Sequence, residues 1–591
     1  MQKFPRLTLR LARVSAILVL LFAAVQSVLA GPPNVVLIMT DDQGYGDFGV
    51  MGNPVIETPH LDAMAGRSAS MNTFYVCPVC TPTRACLMTG RYNYRTRAID
   101  TYVGRAMMEP EEVTVAEVLR SAGYATGIFG KWHLGDCYPL RAIDQGFEEA
   151  LVLRGGGLGQ ASEPRENARR YTDPILFHNG HQVETKGYCT DVYFAAANKF
   201  MEQSHQAGRP FFVYLPTNAP HTPLHDVPES LHQNYLQKDL ASILVTPGKG
   251  KELASELDRL SRIAAMITNI DQNVGRLFTQ LDKLGLTDNT LVIFLTDNGP
   301  NSKRFVGPFR GSKTDVYEGG IRSPLWMQWP SRFQAGTTSD KVTAHIDLMP
   351  TILEACGVEL PTGLKLDGRS FLPLLEDKTA NWPERYLATQ WHRGDQPTRY
   401  HHFMIRGARW KLLENSNFQL EHRTDPPKLE LYDLLADPGE TDNRVDEQPE
   451  IVARLKRAYD RWFDEVSATR PDNYAPPRIF VGSEQENPTV LTRQDWRSQD
   501  GWGGGALGHW KITVARAGHY DLRVLLDERT QSGQVELRVA DEVFQQVVNQ
   551  AAISCRFQDV ALPAGATQLE VVQTLKDGRK LGAYQVIVTK R

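Results

Sequence analysis

Four short apolar runs, each ending in polar or ionisable positions, set the frame of this chain: Val35 to Met39, Ala125 to Phe129, Phe211 to Leu215 and Leu291 to Leu295. Runs of this length without alternation predict strands buried on both faces, as in a parallel sheet. Between them the period changes. Residues 110–122 and 190–204 read as helices, and 251–286 reads as a long one. Its stripe of Leu253, Leu257, Leu260 and Ile263 continues to Leu281 at three- and four-residue spacing, which is a core face. Strands alternating with helices predict an α/β domain over 31–365 with a mostly parallel sheet flanked by helices.

Beyond that domain the pattern shifts twice. Met404–Leu413 and Glu430–Leu434 alternate, and Pro449–Val466 has helical spacing, which predicts a small α+β subdomain over 366–470. A Pro/Gly/Asn-rich passage then leads into segments with period two at 509–514, 519–526, 534–539, 567–572 and 583–588. These predict an appended β-sandwich over 475–591. Its Trp496, Trp502 and Trp510 are candidates either for core packing or for stacking on sugar rings. One expectation is a module dispensable for chemistry that holds a polymer; the competing one is that it packs on the small subdomain and props up the site mouth.

Composition narrows the setting. Lys3, Arg6, Arg10 and Arg13 precede the apolar stretch Val14–Ala24 and a small-residue exit at Val28-Leu29-Ala30, the layout of an export signal over residues 1–30. That stretch is short for a membrane span and no second one follows, so the expected protein is periplasmic or secreted, with no stable membrane span. Losing the signal takes the formal charge from −4 to −8. A mildly acidic chain does not gather polyanions through its overall field, which argues against nucleic acid as a partner and requires a local basic site for any anionic substrate. The seven cysteines form no recognisable disulfide framework.

The candidate chemistry sits where the apolar runs end. Asp41 and Asp42 follow the first run and Asp297-Asn298 the fourth, at carboxyl ends of strands where open α/β sheets carry ligands. Paired carboxylates with oxygen-only neighbours call for a hard cation, calcium rather than zinc or copper. Gly130-Lys131-Trp132-His133-Leu-Gly135 follows the second run, Asn218-Ala-Pro-His221-Thr-Pro the third, and Phe309-Arg-Gly-Ser-Lys313 lies beyond the fourth. The glycine- and arginine-rich stretch 154–172 reads as a loop near the site mouth. Around Cys80, an extended segment is expected to turn into a helix from Pro82 to Thr89, capped by Cys80 or Thr81, with Arg84 as a fixed planar cation about one turn on.

Cys80-Thr-Pro82-Thr-Arg84 with Leu-Met-Thr-Gly90-Arg91 resembles the signature of the type I, arylsulfatase-like sulfatases of the alkaline phosphatase superfamily, with Thr83 where serine is usual. The other blocks follow in the family's order, and the likeness covers roughly residues 33–468. The resemblance implies an alkaline-phosphatase-like fold and a sulfuric ester hydrolase. It also implies that a maturation enzyme oxidises Cys80 to formylglycine, whose hydrate is the nucleophile. One calcium ion would be held by Asp41, Asp42, residue 80, Asp297 and Asn298. Arg84, Lys131 and Lys313 would offset charge on the transferring group, His133 would act as base, and His221 would serve the leaving oxygen. The implied substrate is a sulfate ester, of a carbohydrate or an aryl alcohol. The alternatives are a phosphonate or phosphate monoester hydrolase of the same superfamily, or an inactive protein that binds sulfated glycans.

Overall fold

The computed structural model describes residues 31–377, 380–468, 474–526, 532–549 and 552–591; the expected export signal lies outside them. Four strands form the centre of a ten-stranded mixed sheet: β1 (Asn34–Thr40), β2 (Ala125–Lys131), β3 (Phe211–Pro216) and β4 (Thr290–Thr296). They run parallel in the spatial order β4-β1-β3-β2. Antiparallel strands extend both flanks, Leu325–Gln328 beside β4 and Ile175–His178 with His181–Glu184 at the far edge. The sheet is therefore mixed, with a parallel centre.

Each central strand is buried along its whole length because both faces are covered. Val35, Leu37 and Met39 pack with Ala85, Leu87, Leu119 and Leu348 on one side, while Val36 and Ile38 pack with Phe194, Met266 and Ile270 on the other. Period-two alternation is absent because there is no wet face. The second layer is dominated by α2 (Lys251–Lys283), 33 residues long, with α1 (Cys80–Thr89) in the opposite layer. The expected helix over 110–122 is shorter, Val115–Ser121. Thr114 takes the cap and forms a reciprocal pair with Glu117, which starts the helix five residues after Pro110.

Residues 387–433 form a four-stranded antiparallel sheet carrying the helix Pro449–Ser467 on one face. It shares an apolar cluster with the large domain, Tyr75 and Ile321 packing with Met404 and Leu413, and an ionic tie lies beside it. Lys411 Nζ, fully buried, lies 2.9 Å from Glu318 Oε1 and 2.8 Å from Glu440 Oε1. Removing one partner of a buried ionic cluster strands the others without water. Lys411→Met is expected to lower the unfolding free energy by about 3–5 kcal/mol, read by chemical denaturation.

The last segment folds as two packed sheets of six and four strands. Trp496 and Trp510 are both fully buried in their core, with ring centroids 5.8 Å apart. Sugar stacking is thereby excluded for these two, and only Trp502 is partly exposed. The same core takes in Met107, Cys137 and Leu140 from the catalytic domain, so the sandwich is packed into the body of the molecule.

Candidate active site

Strand register assembles the site. Thr40 pairs with Thr296, so the residues that follow, Asp41 and Asp297, leave two neighbouring parallel strands at the same level. The Asp297 N–H donates to Thr40 O at 3.0 Å and the Asp42 N–H to Asp297 Oδ1 at 3.2 Å. Lys131 closes β2 two strands away. Asp42 and His133 both sit in the left-handed region, at φ 64° and 57°. Side chains other than glycine held there cost of order 1–3 kcal/mol, the kind of strain that gathers at functional sites.

α1 starts at Cys80 after the extended Val79, and neither Cys80 nor Thr81 caps it, contrary to expectation. No side chain caps it; Thr83 instead anchors it, its Oγ1 accepting the Cys77 N–H at 3.0 Å and donating to Asp297 O at 2.7 Å, which ties the helix start to the end of β4. Cys80, Asp41 and Asp297 bring one ligand atom each within 4.8 Å of one another, and Asp41, Asp42 and His221 do the same. Cys77 faces away from Cys80, toward Cys86 and His345. Ile346 N–H donates to His345 Nδ1, which places the His345 proton on Nε2, 3.2 Å from Cys77 Sγ. That buried trio is closed by hydrogen bonding.

Three cations face three carboxylates. Lys131 Nζ lies 2.5 Å from Asp41 Oδ2, Lys313 Nζ 2.6 Å from Asp42 Oδ1, and Arg84 Nη2 2.9 Å from Asp297 Oδ2. Arg84 Nη1 also donates to Lys131 O at 2.7 Å, and Asn298 Nδ2 to Asp42 Oδ1 at 2.9 Å. Burial, the largest single effect, would raise Asp41 and Asp42, but Lys131 with His221 and Arg84 for the first, and Lys313 with His221 and Asn298 for the second, together hold both below the ordinary carboxylate range. Asp297 goes the other way: burial and the charge of Asp41 push it up to about 7 against Arg84 and Lys131. Burial also raises the Cys80 thiol, against the pull of Lys131 and Lys313. Asp41 Oδ1, Asp42 Oδ2 and Asn298 Oδ1 remain buried without a protein donor.

The two histidines differ in their free nitrogen. His133 Nε2 is 2.9 Å from Thr101 O, a pure acceptor, so it carries the proton and Nδ1 is left as a buried lone pair without a partner. Burial, then Lys131 and Arg84, hold His133 well below the ordinary imidazole range. His221 has the opposite arrangement: Nδ1 donates to Thr222 O at 2.8 Å and Nε2 faces Asp42 Oδ2 at 3.9 Å. The 154–172 loop covers both rings. A Cβ on Gly156 would fall 2.6 Å from His133 Cε1, and one on Gly157 3.2 Å from His221 Nδ1, so these glycines permit the close approach.

All the residues singled out in the sequence meet here: Asp41, Asp42, Cys80, Arg84, Lys131, His133, His221, Asp297, Asn298 and Lys313. Supporting residues were not legible. Arg304 braces the acidic loop through Asp47, with Nη2 2.5 Å from Asp47 Oδ2 and 3.1 Å from Asp42 O. His402 of the small sheet reaches Thr314 O at 2.5 Å, beside Lys313. Arg304 stands in the charge cluster after the fourth apolar run, where residue type alone does not mark a brace, and His402 adjoins a strand of the small sheet, away from the runs that end in the site.

Comparison with known proteins agrees with this geometry. The sulfatase family model matches residues 33–358, and that of the N-sulphoglucosamine sulphohydrolase C-terminal region matches 311–463. Human arylsulfatase A is 32% identical over 488 residues, covering 74% of this chain and 89% of that protein. The N-acetylgalactosamine-6-sulfatase of Canis lupus familiaris is 31% identical over 372 residues, 58% of this chain, and the match spans 66% of that relative's length. Among solved structures, Ps i-CgsB in complex with k-i-k-neocarrahexaose superposes with a TM-score of 0.62 at 27% identity, over 73% of this chain and 92% of that one. With an alkaline-phosphatase-like sheet and a family match over more than half its length, the chain belongs to the sulfatase family of sulfuric ester hydrolases.

Proposed function

We propose that this chain releases inorganic sulfate from sulfated carbohydrates, with Cys80 converted to formylglycine by a maturation enzyme and one calcium ion bound beside it. The grouping of Cys80 with Asp41 and Asp297 inside 4.8 Å carries the reading. The buried oxygens of Asp41, Asp42 and Asn298 that lack protein donors fit a hard cation. The ion would be held by these residues with Asp297 and residue 80. When present, the ion supplies Lewis acidity, and formylglycine a hydrated aldehyde with one hydroxyl to attack sulfur and a second to expel sulfate.

The chain's own groups do the rest. Arg84, Lys131 and Lys313 balance Asp41, Asp42 and Asp297, so a bound dication leaves the site net positive, which suits an anionic ester in a buried, low-dielectric setting. His133, neutral and with Nδ1 free, is arranged to take a proton. His221 has Nε2 turned toward Asp42; burial works against a second proton there, Asp41 and Asp42 favour it, and that proton would serve the leaving oxygen. An unmodified Cys80 thiol, raised by burial, would be a weak nucleophile at neutral pH, which favours the modified residue.

The names of the relatives support a carbohydrate or aryl ester, and the Ps i-CgsB complex supports a polysaccharide. Residues 1–30 support export, and no described helix is long and apolar enough to cross a membrane. Sulfate release measured across sulfated glycans, nitrophenyl sulfate and phosphonate esters tests the reading. Sulfate release from a sulfated glycan is expected; turnover of phosphonate esters alone would overturn it in favour of the phosphonate hydrolase alternative. Asp297→Ala should lose bound calcium and activity together, by on the order of a hundredfold or more in turnover. Metal analysis of the wild type should find calcium in equimolar amount; equimolar zinc with no calcium would contradict the metal assignment.

A further inference from the structure

We propose that the C-terminal sandwich is a working part of the active site, with Gln494 as a positioning residue for His133; this rests on the role just given to His133. Gln494 is 1% exposed and lies on a loop of the sandwich, directly after the strand Thr489–Thr492. Its Nε2 donates to Thr101 O at 3.0 Å and stands 3.3 Å from His133 Nε2. Thr101 O is also the acceptor for the His133 Nε2–H. One carbonyl thus receives two donors, one from the base and one from a residue 361 positions away from it.

The carbonyl is held from several sides. The Gly104 N–H donates to Gln494 O at 3.0 Å, and the Arg497 guanidinium donates to Val103 O. Trp502 packs edge-on against Tyr102 at 5.1 Å, and Arg393 of the small sheet donates to Asp100 Oδ1 at 2.6 Å and Thr101 Oγ1 at 3.2 Å. Gly155 closes the far side: a Cβ there would sit 3.3 Å from Gln494 Oε1. The arrangement fixes the His133 proton on Nε2 and leaves Nδ1 as the base, the tautomer that proton abstraction needs. Without the Gln494 amide, Thr101 O keeps its segment contacts but loses the second donor that sets its direction, so the ring angle of His133 is less well fixed.

The test uses the full-length, matured protein with nitrophenyl sulfate. Gln494→Ala should lower kcat on the order of 10- to 100-fold with KM little changed. Gln494→Glu keeps the size but replaces the donor with a carboxylate beside an imidazole that otherwise faces Lys131, Arg84 and Asp41. It should lower kcat as well and move the acidic limb of the kcat profile to higher pH, because a neighbouring anion raises imidazole proton affinity. Wild-type kcat and an unmoved pH profile in both variants would overturn the proposal. Hydrogen–deuterium exchange gives a readout that does not need turnover: amides of residues 100–107 should exchange faster in Gln494→Ala, and unchanged exchange counts against the positioning role. If the wild type releases sulfate from nothing, the functional reading falls, and the exchange result still decides whether Gln494 holds the loop. Should the alanine variant fail to fold, the isosteric glutamate variant decides.

Discussion

Cys80→Ala is expected to abolish sulfate release, by on the order of ten-thousandfold or more, while the protein stays folded. Removing the group that forms the covalent bond costs most of an enzyme's rate enhancement, and the remaining residues cannot substitute for it. The fold should tolerate the change. Cys80 is 2% exposed but lines the charged site rather than the apolar layers, and the helix start is tied down by Thr83 and Arg84. A shift of under about 1 kcal/mol is expected, which is usual for a change that opens no core cavity. Mass spectrometry of the peptide around position 80 should show the CH2SH side chain replaced by an aldehyde in active preparations. Cys80→Ser sharpens the test: a serine can take up sulfate but has no second hydroxyl to expel it, so at most a single turnover is expected. Full activity in a preparation whose Cys80 is entirely unmodified would sink the formylglycine assignment.

Two signals made this site legible: positions that follow buried strands, and the family-like blocks that carry Cys80, Arg84 and Lys313 and added weight to the others. Asp41, Asp42, Asp297 and Asn298 could be read because each follows a run of buried apolar residues, and such runs end at one level only when the strands are parallel and in register. Lys131 with His133, and His221, gained their meaning from the same position at strand ends. The groups that hold those side chains have no such marker. Gln494, Arg393, His402 and Arg304 act through carbonyl oxygens or carboxylates brought near by tertiary packing, and a lone glutamine in a turn carries no periodic signal. The tryptophans of the sandwich show the same limit. Their type fits core and sugar face equally, and only the packing of Trp496 against Trp510 decides for the core. The helix expected to start at Pro110 begins later because Thr114 and Glu117 together satisfy its first amides better than a proline can.

Ending the chain after Tyr474 is expected to yield insoluble or inactive protein, even toward a small aryl sulfate. The composition break near 475 pointed to a dispensable module, and the packing points the other way. Met107, Cys137 and Leu140 sit in the sandwich core, at 2%, 2% and 1% exposure. Uncovering a fully buried side chain of this kind costs about 1.5–3 kcal/mol for the larger ones, a large share of the 5–15 kcal/mol typical of a whole domain. Polar ties would be lost as well. The Tyr138 N–H donates to Glu486 Oε2 at 2.8 Å, Cys137 Sγ to Val490 O at 3.3 Å, and Arg165 Nη2 to Leu526 O at 2.7 Å, with its guanidinium 3.9 Å from the Tyr584 ring centroid. Together with Met107 and the Gly104–Gln494 bond, these ties anchor three segments that border the site: 101–107 carries the acceptor for His133, 136–141 follows shortly after His133, and 154–165 lies over both histidines. A truncated protein that remains soluble should therefore show lower kcat on nitrophenyl sulfate, not merely weaker action on long chains. Recovery of full small-ester turnover from residues 31–474 would return the sandwich to the status of a detachable substrate-binding module.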